Sequence, residues 1–197
     1  MTPLAVIRHG PTAWNDDGRM QGQQDIALSG AARQALAARR PPPALDGFAW
    51  ASSPLARARD TAGLLAPHAD IAIEPALTEM AWGTWEGATL ETLRARHGAG
   101  FDANADLGLD FQPPGGESPR MVQARLAPWL ARIGAAGVPT IAVTHKGVIR
   151  ALLGLATGWD FLGKPPARLD WSAVHVFDVD RAGGLRIHEL NRALEPR

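Results

Sequence analysis

Two histidines stand where an apolar run gives way to a turn. Leu4-Ala5-Val6-Ile7 leads into Arg8-His9-Gly10, and Pro139 to Val143 leads into Thr144-His145-Lys146-Gly147. Buried strands that end this way deliver their last side chains to the carboxyl edge of an α/β sheet, where ligands bind. Arg8 sets a guanidinium next to the first imidazole, and Gly10, lacking a Cβ, lets a ligand oxygen approach the backbone. A third stretch, Ser52-Ser53-Pro54-Leu55-Ala56-Arg57-Ala58-Arg59, opens a helix with Ser53 as N-cap and Pro54 at its first position. Arg57 then falls in the first turn, where free amides and the helix dipole favour an anion. Arg59 lies about 200° away around the helix, so it cannot share that crevice and is expected in a surface or interior ion pair. The fourth stretch, Thr78-Glu79-Met80-Ala81-Trp82-Gly83-Thr84-Trp85-Glu86-Gly87, supplies two carboxylates in a Trp-rich loop. Two imidazoles, two guanidiniums and a carboxyl suit phosphoryl transfer without a metal. The cations neutralise the equatorial oxygens, and an arginine fork holds two of them at once.

The pattern Arg8-His9-Gly10-x-Thr12-x-x-Asn15 resembles the signature of the histidine phosphatase superfamily, also called phosphoglycerate mutase-like. The Ser-x-Leu-x-Arg-Ala stretch at 53–58, Glu79 and His145 follow in the order that family shows, so the resemblance runs from Ala5 to about Leu153. It implies a three-layer α/β/α sandwich with a mostly parallel sheet. It also implies roles. His9 attacks phosphorus in line and becomes phosphohistidine. Arg8, Arg57 and His145 hold the phosphoryl group with Asn15 assisting. Glu79 protonates the leaving oxygen and then takes a proton from water, while Glu86 is structural. No metal and no other cofactor is implied. His9 is expected to be neutral, its pKa lowered by Arg8 and Arg57, and Glu79 to be protonatable through partial burial. Lys146 departs from the family, where a small residue usually follows this histidine. It either binds a negative group on the substrate or lies at the surface with only its amide near the phosphate.

Within the family, the phosphoglycerate mutases carry Glu-Arg-x-Tyr-Gly where this chain has Glu79-Met80-Ala81-Trp82-Gly83. They also carry a basic pair in the mid-chain insertion, whereas residues 98–119 here contain no arginine or lysine. The Trp-Glu-Gly form is similar to broad-specificity and α-ribazole phosphatases. A histidine acid phosphatase-type hydrolase of phosphomonoesters is therefore expected. A cofactor-dependent mutase is the alternative, and a non-catalytic phospho-ligand-binding domain comes third, opposed by the intact set His9, Arg57, Glu79 and His145. The expected partner is a small phosphorylated metabolite.

The elements that must position these groups are legible as strands alternating with helices, which implies a mostly parallel sheet covered on both faces. Strands are expected at 4–7, 48–52, 71–74, 139–143, 173–179 and 185–190, the last two as an edge hairpin. Helices are expected at 30–39, about 54–66, 90–96, from Ser118-Pro119 onward, and after His145. Pro128 should kink or split the fourth of these. Residues 16–27 read as a loop beside the first turn, and 98–116 as irregular. The 197 residues fit one domain over 1–197 with an insertion or cap at about 82–120. Zero net charge gives no field for nucleic acid or an anionic membrane surface. The absence of cysteine rules out thiolate chemistry, and eighteen arginines against two lysines make the cationic chemistry guanidinium chemistry. With no secretory pattern and no apolar run near the ~20 residues of a membrane span, a cytoplasmic location is expected. A homodimer is compatible with the sequence.

Overall fold

The computed structural model describes residues 1–197. Its strands are β1 (Thr2–Arg8), β2 (Arg39–Arg40), β3 (Ala49–Ser52), β4 (Ile71–Ile73), β5 (Thr140–Thr144), β6 (Val174–Val179), β7 (Leu185–Arg192) and β8 (Glu195–Pro196). Its helices are α1 (Ala13–Asp16), α2 (Gly30–Ala37), α3 (Ala56–Leu65), α4 (Leu90–His97), α5 (Ala99–Ala105), α6 (Pro119–Ala136) and α7 (Lys146–Thr157). Six strands form one sheet in the order β4-β3-β5-β1-β6-β7. The pairs β3–β4, β3–β5 and β1–β5 are parallel; β6 runs antiparallel to β1, and β7 antiparallel to β6. The β6–β7 hairpin thus closes one edge, as its sequence pattern implies.

The period of two along β1 divides the core. Leu4 and Val6 point to one face, where Leu126 and Leu130 of α6 and Ile149 and Leu152 of α7 cover them. Ala5 and Ile7 point to the other, against Ala58, Ala62 and Leu65 of α3. Both faces of β1 are therefore dry, and an unbroken apolar run is what such a strand needs. In β1 and β5, Ile7 pairs with Val143 and Arg8 with Thr144. The next residue of each strand, His9 and His145, therefore emerges at the same edge. No helix is long and apolar enough to cross a membrane.

Several local expectations need correction. Residues 98–116 are not irregular throughout: α5 forms there, and Phe101 stacks on Trp85 with ring centroids 5.3 Å apart in a small satellite core with Leu93. The α6 helix is not split, running continuously through Pro128, which lies on its exposed side. There the carbonyl left without a partner by the missing N–H faces water. The α2 helix stops at Ala37, because Arg39 and Arg40 pair with Glu195 and Pro196 in a two-stranded ribbon. Ser53 is not the N-cap of α3; Leu55 occupies that position, and the Ser53 hydroxyl is used elsewhere.

Candidate active site

His9 is 5% exposed, and its Nδ1 lies 2.7 Å from the Gly10 carbonyl oxygen. A carbonyl only accepts, so Nδ1 carries the hydrogen and Nε2 keeps its lone pair. The backbone is fixed on both sides. The His9 N–H donates to the Thr144 carbonyl at 2.9 Å, and the Gly10 N–H donates to Thr61 Oγ1 at 3.0 Å. Burial first, then the Arg57 and Arg8 charges, push the His9 pKa down to about 3. The imidazole is therefore neutral across the physiological range.

His145 is fully buried, its ring centroid 5.1 Å from that of His9. Its Nε2 lies 2.8 Å from Ser53 Oγ, which also accepts the Leu55 N–H at 3.3 Å. If the Ser53 hydroxyl gives its own hydrogen to Nε2, the imidazole hydrogen is left on Nδ1, which is buried without a partner in the chain. Burial, followed by the charges of His9, Arg57, Arg125 and Arg8, lowers the His145 pKa well below its ordinary value.

Arg57 is the largest fully buried side chain of the molecule. The loop at 20–27 holds it: Nη1 donates to the Gln24 carbonyl at 2.6 Å and Nη2 to the Gly22 carbonyl at 2.7 Å. Glu86 ties that loop down. Its Oε1 accepts the Gln23 N–H at 2.9 Å and the Trp82 N–H at 3.1 Å. Gly22 sits at φ 51°, and a Cβ there would collide with Glu86 Oε1, so this approach requires glycine. Arg59 is exposed on α3 and forms no ion pair; its neighbour Asp60 pairs with Arg33 instead. Asn15 lies on α1, its Oδ1 accepting the Thr12 N–H at 3.0 Å, which leaves its amide NH₂ as an uncommitted donor.

Glu79 is 9% exposed, with Oε1 accepting the Met80 N–H at 2.8 Å and Oε2 the Gly147 N–H at 3.2 Å. Burial outweighs these hydrogen bonds and the Arg57 and Arg8 charges, and the carboxyl pKa is raised. Arg125 and Glu117 brace the segment. Arg125 donates to the Thr78 carbonyl at 2.6 Å and to the Ala76 carbonyl, and pairs with Glu117 at 2.9 Å. Glu117 in turn accepts the Ala81 N–H at 2.9 Å. Neither brace has a sequence signal, since Glu117 precedes the N-cap of α6 and Arg125 lies in its second turn, both as ordinary polar residues. Trp85 is core, and Trp82 packs on Phe111 with centroids 5.6 Å apart.

Arg8, Arg57 and His145 each hold a buried nitrogen without a partner in the chain. Such unpaired donors converging beside one imidazole fit an anion with several acceptor oxygens. A cavity of about 900 Å³ is lined by Arg8, His9 and Asn15 together with Leu36, Trp171 and Leu194.

A family model described as histidine phosphatase superfamily (branch 1) matches residues 4–192. The glucosyl-3-phosphoglycerate phosphatase of Mycolicibacterium vanbaalenii is 36% identical over 178 residues, covering 81% of this chain and 78% of that protein. A metal-independent phosphoserine phosphatase of Arabidopsis thaliana is 35% identical over 165 residues, covering 77% of this chain and 67% of that protein. The solved structure of mycobacterial glucosyl-3-phosphoglycerate phosphatase with VO3 superposes with a TM-score of 0.78 at 28% identity, covering 98% of this chain and 100% of that one. Paired histidines at adjacent strand ends, a buried arginine on the helix after the second of the parallel strands, and likeness along nearly the whole length agree: the chain belongs to the histidine phosphatase superfamily and resembles its phosphatases.

Proposed function

We propose that this chain hydrolyses phosphomonoesters of small metabolites in the manner of the histidine acid phosphatases, through a phosphohistidine on His9. The observation that carries the reading is the opposed tuning of two buried groups: His9, neutral with Nε2 free, and Glu79, its carboxyl pKa raised. One is prepared as a nucleophile and the other as an acid.

In the first step His9 Nε2 attacks phosphorus, the ester P–O bond breaks, and the leaving oxygen takes the Glu79 proton. In the second, Glu79 takes a proton from water, the water oxygen attacks phosphorus, the P–N bond breaks and inorganic phosphate leaves. Arg8 and Arg57 neutralise the equatorial oxygens, with His145 Nδ1 and the Asn15 amide as further donors. The reading calls on no metal, since guanidiniums supply the positive charge. The substrates named for the two relatives, glucosyl-3-phosphoglycerate and phosphoserine, are both phosphomonoesters and support that class. Residues 98–119 favour hydrolysis over mutase action, for they bring no basic side chain to a substrate.

The test is turnover of p-nitrophenyl phosphate by the wild type and His9→Ala, with rapid quench. Hydrolysis lost in the variant, with an acid-labile and base-stable phosphoenzyme in the wild type, is expected. Equal rates would overturn the reading, and efficient isomerisation of 3-phosphoglycerate primed with 2,3-bisphosphoglycerate would replace it with the mutase.

A further inference from the structure

Lys146 and Arg150 stand one turn apart on the same face of α7, the helix that begins immediately after His145. Aromatic rings from the segment that follows α7 lie against both. The Lys146 Nζ is 5.3 Å from the centroid of the Trp171 ring, and the Arg8 guanidinium carbon is 5.9 Å from the same ring. The Arg150 guanidinium carbon lies 5.1 Å from the Trp159 ring and 5.2 Å from that of Phe161, and these two rings stack at 4.3 Å. Phe161 holds a φ of 71°, a left-handed conformation that is strained for a bulky side chain. Strain of this kind persists where the surroundings over-determine it, and here it keeps a ring on Arg150.

These two cations lack a balancing charge. Neither forms an ion pair in the chain. Arg150 Nε is buried with no hydrogen-bond partner. Glu79 is the one carboxylate whose charge is felt by either, and it is the group that must be protonated when it acts as an acid. A phosphoryl dianion is matched by Arg8 and Arg57, so bound phosphate leaves Lys146 and Arg150 over. Position completes the argument. The leaving oxygen has to lie at Glu79, and Glu79 Oε2 is bonded to the N–H of Gly147, the residue next to Lys146. The leaving group therefore departs beside the first turn of α7, next to Lys146 and one turn from Arg150.

We propose that Lys146 and Arg150 form a carboxylate subsite, and that the preferred substrates are phosphomonoesters of hydroxy acids whose carboxylate lies close to the ester oxygen. The Trp171, Trp159 and Phe161 rings hold the two cations in place before substrate arrives, which lowers the cost of ordering long side chains on binding. This deepens the hydrolase reading and rests on it.

Two matched substrates separate the subsite from the phosphoryl clamp: 3-phosphoglycerate, and glycerol 3-phosphate, in which a hydroxymethyl group replaces the carboxylate. Wild-type kcat/KM should favour 3-phosphoglycerate by about 10- to 100-fold, the range of a charge-assisted pair. In Lys146→Ala, a change at an exposed position, and in Arg150→Gln, that ratio should fall by about 10-fold, mostly through the KM for 3-phosphoglycerate. A wild type indifferent to the carboxylate, or variants that weaken both substrates equally, would overturn the subsite. If the wild type hydrolysed neither compound nor p-nitrophenyl phosphate, the hydrolase reading would fall, and calorimetric Kd values for the same pair would still judge the subsite. A Kd for 3-phosphoglycerate at least 10-fold tighter would uphold it, and equal values would overturn it.

Discussion

Glu79 reaches across from the Trp-rich loop to accept the N–H of Gly147, so the proton donor is anchored to the helix that starts at the second histidine. The contact depends on a missing side chain. A Cβ on Gly147 would collide with Glu79 Oε1 and come within 3.2 Å of Met80 Cβ. Gly147→Ala should therefore displace the carboxyl without disturbing His9. A displacement near 1 Å in such a site costs on the order of 100-fold. We expect kcat on an alkyl phosphate to fall by about that factor while phosphoenzyme still forms from p-nitrophenyl phosphate, as read by rapid quench.

Glu79→Gln should separate substrates by leaving group. An alkoxide needs the proton and p-nitrophenolate barely does, so alkyl phosphate hydrolysis should drop by about 10²–10⁴, and phosphorylation by p-nitrophenyl phosphate far less. The pH dependence follows from the same groups. His9, pushed down to about 3, stays unprotonated well into acid, whereas Glu79, raised by burial, loses its proton as pH climbs. Phosphorylation by alkyl phosphates should therefore be fastest in mildly acidic solution and decline through the raised Glu79 pKa. Single-turnover rates against pH measure this, and a rate that rises steadily to pH 9 would contradict it.

Ser53 is a positioning residue. Its hydroxyl bonds His145 Nε2 at 2.8 Å and sets which ring nitrogen carries the hydrogen. Ser53→Ala should reduce kcat by about 10-fold or more and leave the NMR spectrum of the His145 ring as a mixture of tautomers. One tautomer retained at full activity would remove Ser53 from the mechanism.

Stability should also follow the buried imidazoles. His9, His145 and His175 are all lowered, chiefly by burial. Between the His9 value of about 3 and the ordinary histidine value of 6.5 the unfolded chain binds more protons than the folded one. Stability therefore rises with pH across that window and is lost as pH falls through it. Glu79 acts in the opposite sense, its contribution declining as pH rises above the ordinary carboxyl value of 4.5. Urea midpoints measured from pH 4 to 7 should increase with pH, and the slope should flatten in His175→Gln.

The strand ends were legible in the sequence because chemistry and hydrophobic pattern coincide there: Leu4 to Ile7 is apolar throughout, and the change at Arg8 is abrupt. Arg57 was legible from its place in a helix turn. Ser53 reads as a cap because Ser-Pro before a helix has that local meaning; only the approach of His145 from a distant strand gives the hydroxyl its partner. The α5 helix is not legible in the sequence because Gly100 and the polar residues around it carry no helical period, and packing of Phe101 on Trp85 stabilises it. Arg125, Glu117 and Arg150 had no local signal. Their roles arise from which elements pack together, and that information is spread over the whole chain.

The placement of β1 between β5 and β6 has a bearing on how the molecule is made. β1 is an inner strand of the sheet, and both of its partners follow it in the chain by more than 130 residues. Until residue 144 has emerged, Leu4 to Ile7 has no neighbour on either side, and the nucleophile has no companion histidine. Pairings so distant in sequence form slowly, and an unpaired apolar strand invites association in the meantime. Catalytic competence should therefore arrive in one late step, when β5 and β6 close around a strand made long before them.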